Sequence, residues 1–256
     1  MQKYQTKANI WKILVDEIND YLLLEIRDAE KQEVSFDILS LGSQGYIAQN
    51  LNFWEKWWIS ARAIIGGKIL LAFLQGDSPL SKGVMLYDLH KKDFIWQNMS
   101  MYFHSFDEAN NCVYLSQYTE MTHLRAYDLD TGQAIEREYT LLKKNTENTY
   151  VYPTIYTEKN PYFADLQNFV NIKTNHIATK EFFYIEHAKA IVLLYETEIK
   201  EKFVYFLLIT DIAGNIRVHE SLEQDKKLGN EDIFFIVKDY LILLPHTKQI
   251  WIYHLA

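Results

Sequence analysis

Cysteine is nearly absent from this chain. Cys112 stands alone among 256 residues, so no intramolecular disulfide forms and small disulfide-stapled folds are excluded. Long apolar runs are missing as well. Stretches such as Tyr205 to Ile209 and Tyr240 to Pro245 are far too short to cross a bilayer, and Met1 to Lys7 holds no stretch of signal-peptide length. The cytoplasm is therefore the expected location. There is no excess of basic charge. A net charge of −8 should repel nucleic acid and anionic membrane surfaces, and Lys143-Lys144 and Lys226-Lys227 are only pairs in solvated loops. The Asn98-Met99-Ser100 glycosylation sequon is a chance match on this reading.

Catalytic signatures are equally sparse. The eight histidines, His90, His104, His123, His176, His187, His219, His246 and His254, show no metal-binding spacing, so no metal and no cofactor are expected. Gly66-Gly67 reads as a hairpin tip, and Gly42-Ser43-Gln44-Gly45 lacks the lysine and threonine of a nucleotide loop. No nucleophile elbow is present. Cys112 opens an apolar run and reads as a small core residue.

What the chain does have is a returning phrase: an aromatic or aliphatic residue, Asp, then Leu or Ile, at the end of an apolar run. Phe36-Asp37-Ile38, Tyr87-Asp88-Leu89, Tyr127-Asp128-Leu129 and Thr210-Asp211-Ile212 are clear copies; Val170-Asn171-Ile172 and Tyr253-His254-Leu255 are weaker ones. Successive central residues are 51, 40, 43, 40 and 43 apart. A strand-rich repeat of 40 to 45 residues is the mark of propeller blades. Hydrophobic content of 48% against 23% charged residues fits a globular chain, and the expectation is a single all-β domain over 1–256.

Polar tips between strand-like runs give a second periodicity. They are Asp16 to Asp20, Gly66-Gly67, Asp107 to Asn111, Glu186 to Lys189 and Val237 to Asp239. Together the two periods define a four-strand unit, with strands near Met101–Phe106, Val113–Tyr118, Leu124–Leu129 and Ala134–Tyr139 in the third copy. Each repeated Asp, at 37, 88, 128 and 211, is expected to bond the backbone of its own turn rather than to join a ring of carboxylates. The fourth unit is irregular. Only about ten residues separate its first turn, Thr157 to Pro161, from its last at Asn171, too few for a second hairpin at about 3.3 Å per residue. Either six blades include a degenerate fourth, or five blades carry an insertion at about 143–178; the 43 and 40 spacing favours six. The last unit lacks a fourth strand, which residues near Lys3–Lys7 could supply, closing the ring.

Tyr127-Asp128-Leu129-Asp130-Thr131-Gly132-Gln133, and Tyr87-Asp88-Leu89 followed by Phe94-Ile95-Trp96, resemble the blade turns of quinoprotein-like and WD-repeat propellers. The chain is also similar to an uncharacterised bacterial propeller-like family of about this length, a resemblance that implies no activity. A quinone enzyme is disfavoured by the absence of an export signal.

Long connections, at Leu41–Trp58, Gln75–Gly83, Leu142–Tyr150 and Glu223–Asn230, are expected on one face. They and the segments they lead into are aromatic. Trp54, Trp57, Tyr150, Tyr152, Tyr156 and Tyr162 are the candidate ligand-binding residues, with packing between blades as the plainer reading of any one of them. Two functions compete. One is a non-catalytic module binding a protein or small molecule on the long-loop face. The other is a carbohydrate-binding protein or hydrolase acting at the mouth of a central channel.

Overall fold

The computed structural model describes residues 1–43, 45–76, 78–119, 123–139, 150–222 and 234–255. The loops expected at 142–149 and 223–230 lie outside them. Among the described residues the chain is almost wholly antiparallel sheet, in four sheets, with one α-helix. Contacts group it into two compact units, Thr6–Thr146 and Met1–Gln5 with Glu147–Ala256.

Strand β1 (Gln2–Gln5) belongs to the second unit. The first unit begins with a meander of β2 (Asn9–Asp16), β3 (Tyr21–Asp28), β4 (Glu33–Ser40) and β5 (Gly45–Leu51). A seven-stranded sheet follows: β6 (Ile59–Ile65), β7 (Lys68–Gln75), β8 (Ser78–Asp88), β9 (Asp93–Asp107), β10 (Cys112–Ser116), β11 (Arg125–Asp128) and β12 (Ala134–Ile135). It is two repeat units sharing one strand. The first part of β9 pairs with β8 and its last part, from Tyr102, with β10. The faces of the first sheet and of β6–β8 meet through Leu23, Phe36, Ile38, Ile59, Leu71 and Met85, all fully buried. Leu70, Val84, Leu86, Val113 and Leu115 make the next apolar layer. Truncating one such leucine to alanine costs about 2–5 kcal/mol.

The second unit holds β13 (Tyr150–Val151), β14 (Thr154–Thr157), α1 (Phe163–Thr174), β15 (Ala178–His187), β16 (Ala190–Ile199), β17 (Lys202–Thr210), β18 (Ile216–Leu222), β19 (Phe234–Val237), β20 (Tyr240–His246) and β21 (Gln249–His254). One sheet runs β14-β15-β16-β17-β18, the other β1-β21-β20-β19-β13. Gln2 to Gln5 pair antiparallel with Ile252 to Gln249, so the first and last described strands lie side by side. The two sheets share a core of Phe183, Val192, Leu194, Leu207, Phe234, Ile236, Leu243 and Leu255.

The repeated phrase acquires a physical meaning here. In each of four repeats a leucine just past the third strand donates its backbone N–H to the turn between the first two strands. Leu41 bonds the Asp20 carbonyl at 2.8 Å, Leu89 that of Gly67 at 3.0 Å, Leu129 that of Asn111 at 2.9 Å and Leu255 that of Asp239 at 2.8 Å. All four leucine side chains are buried. Asp20, Gly67 and Asn111 have φ of 55°, 74° and 49°, the left-handed region that Gly, Asn and Asp tolerate best. Before three of these leucines, and before Ile212, a polar residue closes the other turn. Asp88 accepts from the N–H of His90 and Lys91, Asp128 from Thr131, Asp211 from Asn215, and the Ser40 hydroxyl from Ser43.

Several expectations need correction. The first copy of the phrase is Ser40-Leu41; Asp37 lies inside β4 and accepts from the Asn50 N–H at 2.7 Å, where β4 and β5 pair irregularly. The expected long loop at 41–58 contains β5, and most of that at 75–83 belongs to β8, whose Ser78 pairs with Gln75. The fourth copy, Val170-Asn171-Ile172, is helical. Phe163, Leu166 and Val170 put apolar side chains at helical spacing toward the sheet, and Asn175, at φ 60°, ends the helix by donating to the Asn171 carbonyl. The expected fourth strand of the third unit, Ala134–Tyr139, is regular only over Ala134–Ile135.

Trp96 explains why the turn at 128–133 carries a glycine. Its indole N–H donates to the Leu129 carbonyl at 2.6 Å, and its ring covers Gly132, where an added Cβ would meet ring carbons at 2.6 Å. Gly132 has φ of 67°, Gly66 has φ of 55°, and a Cβ at Gly66 meets nothing within 4 Å. Gly132→Ala should therefore cost about 2–4 kcal/mol, from left-handed strain plus overpacking, against about 1–2 kcal/mol for Gly66→Ala. Urea denaturation of the two variants checks this, and equal losses would remove the steric role given to Trp96.

Candidate functional site

The six aromatic candidates occupy different settings. In the first unit, Trp54 is 62% exposed but stacks on Phe73 with ring centres 4.9 Å apart. Trp57 lies under Arg27, whose guanidinium is 5.2 Å from its ring and donates to the Trp57 and Ile59 carbonyls. That arginine also grips the fully buried Glu25 at 2.7 Å. Glu25 accepts further from the Ser60 hydroxyl and the Ala61 N–H, both at 2.9 Å, so it ties β3 to β6. Lys12, 3.8 Å away, is held below its ordinary pKa by burial, as is Arg62. A buried carboxylate this well bonded is a brace between sheets, and Trp57 is part of it.

In the second unit, Tyr150 and Tyr152 flank Phe235 with ring centres 5.6 and 5.9 Å from it. Tyr156 and Tyr162 come together elsewhere. They line a cleft of about 250 Å³ with Tyr184, Glu186, Asp165 and Leu166.

Local sequence builds that cleft. Tyr156 on β14 stands opposite Phe182 on β15, and Phe182, Tyr184 and Glu186 alternate onto one face of that strand. The ring of Tyr156 meets that of Tyr184 edge-on, at 5.7 Å and 84°. After β14, Asn160 turns the chain: its N–H bonds the Thr157 carbonyl, its side chain accepts from Tyr162, and its carbonyl from Phe163. Helix α1 starts there and anchors Phe163 on Phe182 at 5.2 Å. Tyr162, Asp165 and Leu166 fall on one side of its first turn, at spacings of three and four. Tyr162 is 63% exposed. The Tyr184 hydroxyl donates to Glu186 at 3.0 Å, and burial, reinforced by that bond, pushes its pKa up to about 12. Asp165, Leu166, Tyr184 and Glu186 were not anticipated. The strand alternation and the helical spacing would have found them, but only once α1 was recognised.

A larger hollow of about 420 Å³ follows β11 and β12 beside Arg125, Glu136, Arg137 and Glu138. Its described lining has no aromatic ring and is a sheet edge, so the smaller cleft is the better ligand site. Among the described residues no group of three or more His, Cys, Asp or Glu is placed to hold a metal ion. No described helix is long and apolar enough to cross a membrane. Cys112 is fully buried, and burial pushes its thiol pKa up, which suits a core residue.

Farther along the face that carries the cleft, Tyr195 sits between two imidazoles. Its hydroxyl is 3.0 Å from His176 Nδ1 and 3.0 Å from His219 Nε2, with Thr174 Oγ1 at 3.4 Å and Phe206 packed against both rings. The hydroxyl has one proton, so at least one imidazole must donate to it. Burial lowers both histidine pKa values, and for His219 the neighbouring His176 lowers it further.

Residues 15–96 match a family described only as a domain of unknown function, DUF4905. No curated protein matches. Among solved structures, the chain is similar to the β-propeller domain of the Trilobed protease from Pyrococcus furiosus, at 13% identity over 97% of this chain and 85% of that one, with a TM-score of 0.36. It is also similar to Kuenenia stuttgartiensis hydrazine synthase, at 10% identity over 91% of this chain and 64% of that one, with a TM-score of 0.26. At these scores the likenesses carry no argument about architecture or activity.

The imidazole pair predicts a pH dependence. Folded-state pKa values below the unfolded value of about 6.5 mean that the unfolded chain takes up protons first as pH falls. The stability due to these groups is complete above pH ~6.5 and is lost progressively below it. His104, also lowered by burial, acts in the same direction. Replacing His219 by Gln should flatten the fall in unfolding free energy between pH 7 and 5. Urea titrations at several pH values measure it, and an unchanged slope would refute the assignment.

Proposed function

We propose that the chain is a single β-propeller of five blades acting as a non-catalytic binding module, with the Tyr156–Tyr162 cleft as its ligand site. On this reading the blades are 9–51, 59–98, 101–135, 154–222 and 234–254, the last completed by Gln2–Gln5. The support is the antiparallel order within each segment, the recurring leucine clamp, the face-to-face packing of successive sheets within each unit, and the β1–β21 pairing. Five replaces the six favoured by spacing, because the extra copy of the phrase at Asn171 is helical. The observation that carries the binding role is the cleft itself: three tyrosines and two carboxylates converge on one hollow where α1 meets the sheet.

A carbohydrate is the second reading. An exposed tyrosine ring beside two carboxylates offers a stacking face and hydroxyl acceptors. The cytoplasm stays the proposed location, and a small molecule or a protein the proposed partner.

Two measurements test this. Deleting residues 1–5 uncovers the β21 edge and should lower the unfolding midpoint and promote association; an unchanged midpoint would count against closure by β1. A thermal-shift screen of small cations, sugars and nucleotides against the native chain and Tyr162→Ala should give a stabilising ligand whose effect the variant loses. A hit that Tyr162→Ala leaves intact would move the site elsewhere.

A further inference from the structure

We propose that the cleft recognises a methylated ammonium head, a cation of the trimethylammonium class. The inference rests on the cleft being the ligand site and names what enters it.

Sign and surface of the lining argue for it. The described lining is Tyr156, Tyr162, Tyr184, Leu166, Asp165 and Glu186. It includes two carboxylates and no lysine, arginine, histidine, asparagine or glutamine. A sugar presents hydroxyls that both donate and accept, and sites for sugars supply partners of both kinds. Here the acceptors dominate. One of the three tyrosine hydroxyls is already spent, since Tyr184 donates to Glu186 at 3.0 Å. The remaining capacity is two tyrosine hydroxyls against two carboxylates and three ring faces, so negative charge and ring face outweigh donors.

The rings are arranged for it. Tyr156 and Tyr184 meet at 84° and form a corner, two adjoining walls rather than one flat platform. Tyr162, at the helix start, supplies a third ring, and Leu166 an apolar patch. Ring faces carry partial negative charge and attract a cation within about 6 Å of their centres, and an aromatic cage is the usual answer to a quaternary ammonium. A bare ammonium prefers water and a hydrogen-bonding carboxylate; methyl groups trade those bonds for contact with rings and with Leu166. A cleft of about 250 Å³ suits a small head rather than a chain of sugar units.

The experiment is an isothermal titration of the full-length protein with choline. Its neutral isostere 3,3-dimethylbutan-1-ol, glucose, and a peptide bearing trimethyl-lysine are titrated in parallel. Choline should bind at least tenfold more tightly than the isostere. Tyr162→Ala and Glu186→Gln should each weaken choline about three- to thirtyfold, while Tyr162→Phe, which keeps the ring, should bind within about twofold of the native chain. Gln at 186 retains an acceptor for Tyr184, and Tyr162 is exposed, so both variants should fold; circular dichroism checks that. Preference for the peptide over choline would assign the same head to a protein tail, and preference for choline to a free metabolite. Equal binding of choline and its isostere, or of choline by native chain and both weakening variants, overturns the proposal. Glucose binding that Tyr162→Ala abolishes, without choline binding, overturns it too while leaving the cleft as the ligand site. Silence from all four ligands overturns the cation assignment; the broader thermal-shift screen then decides the fate of the cleft separately.

Discussion

A single backbone hydrogen bond, repeated, organises this molecule. Each time, the N–H of a buried leucine past the third strand reaches the carbonyl of the turn between the first two. The bond joins the beginning of a repeat to its third strand, so three strands are fixed in register at one end. A net gain of about 0.5–1.5 kcal/mol per bond is modest, but leaving such a buried donor unpaired would cost about 1–3 kcal/mol. Beside three of the four clamps, at Ser40, Asp88 and Asp128, lies a hydroxyl or carboxylate that caps the following turn, and in the first unit other turn carboxylates reach sideways. Asp16 accepts from the Gly67 N–H at 2.7 Å, and Asp130 accepts from Asn111 at 2.9 Å and pairs with Lys68. Turns of successive repeats are thus bonded to each other, which holds the stacked apolar faces behind them.

That interaction is also why so much of the fold could be read from the chain. Asp-Leu is visible because both residues have a job: the carboxylate serves the turn and the leucine plugs the core. Where another residue does one of those jobs, the phrase disappears. Ser40 caps with a hydroxyl instead of a carboxylate, so Ser40-Leu41 went unseen and the chance string Phe36-Asp37-Ile38 stood in for it. Strand β5 was hidden for a different reason. Its exposed positions carry Tyr46 and Ile47, so it shows no clean alternation of apolar and polar residues. Helix α1 was hidden by composition, since Val170-Asn171-Ile172 has the form of the repeat and a helix was not in the frame of an all-β chain.

The candidate site was legible only in part, and for a related reason. An aromatic residue in this protein can be core, brace or ligand surface, and its type alone does not separate them. Trp57 is committed to Arg27 and Tyr150 to Phe235. Tyr156 and Tyr162 acquire another meaning only because the helix brings Asp165 and Leu166 against a strand bearing Tyr184 and Glu186. Those four partners are unremarkable in the sequence. What makes them a site is a tertiary contact, Phe163 on Phe182, which no local pattern announces.

The place where the repeat fails is the place where the cleft forms, and the two facts have one cause. In the sheet of β14 to β18 the clamp position is Ile212, which is 69% exposed instead of buried. Helix α1 lies against that turn: a Cβ at Gly214 would stand 3.2 Å from Lys173 Nζ and 3.5 Å from the Phe169 ring. One end of the helix thus lies against the turn in which the clamp leucine sits in the other repeats. The opposite end of this twelve-residue helix presses Phe163 onto Phe182 and leaves Tyr162 and Asp165 standing beside the strand. A regular repeat offers no such overhang, because a fourth hairpin strand lies flat in its sheet and adds no second layer. A helix laid over the sheet supplies that layer, and a cleft at its edge follows from geometry. Regular repeats give the frame its stiffness, and the irregular one gives it a surface on which to bind.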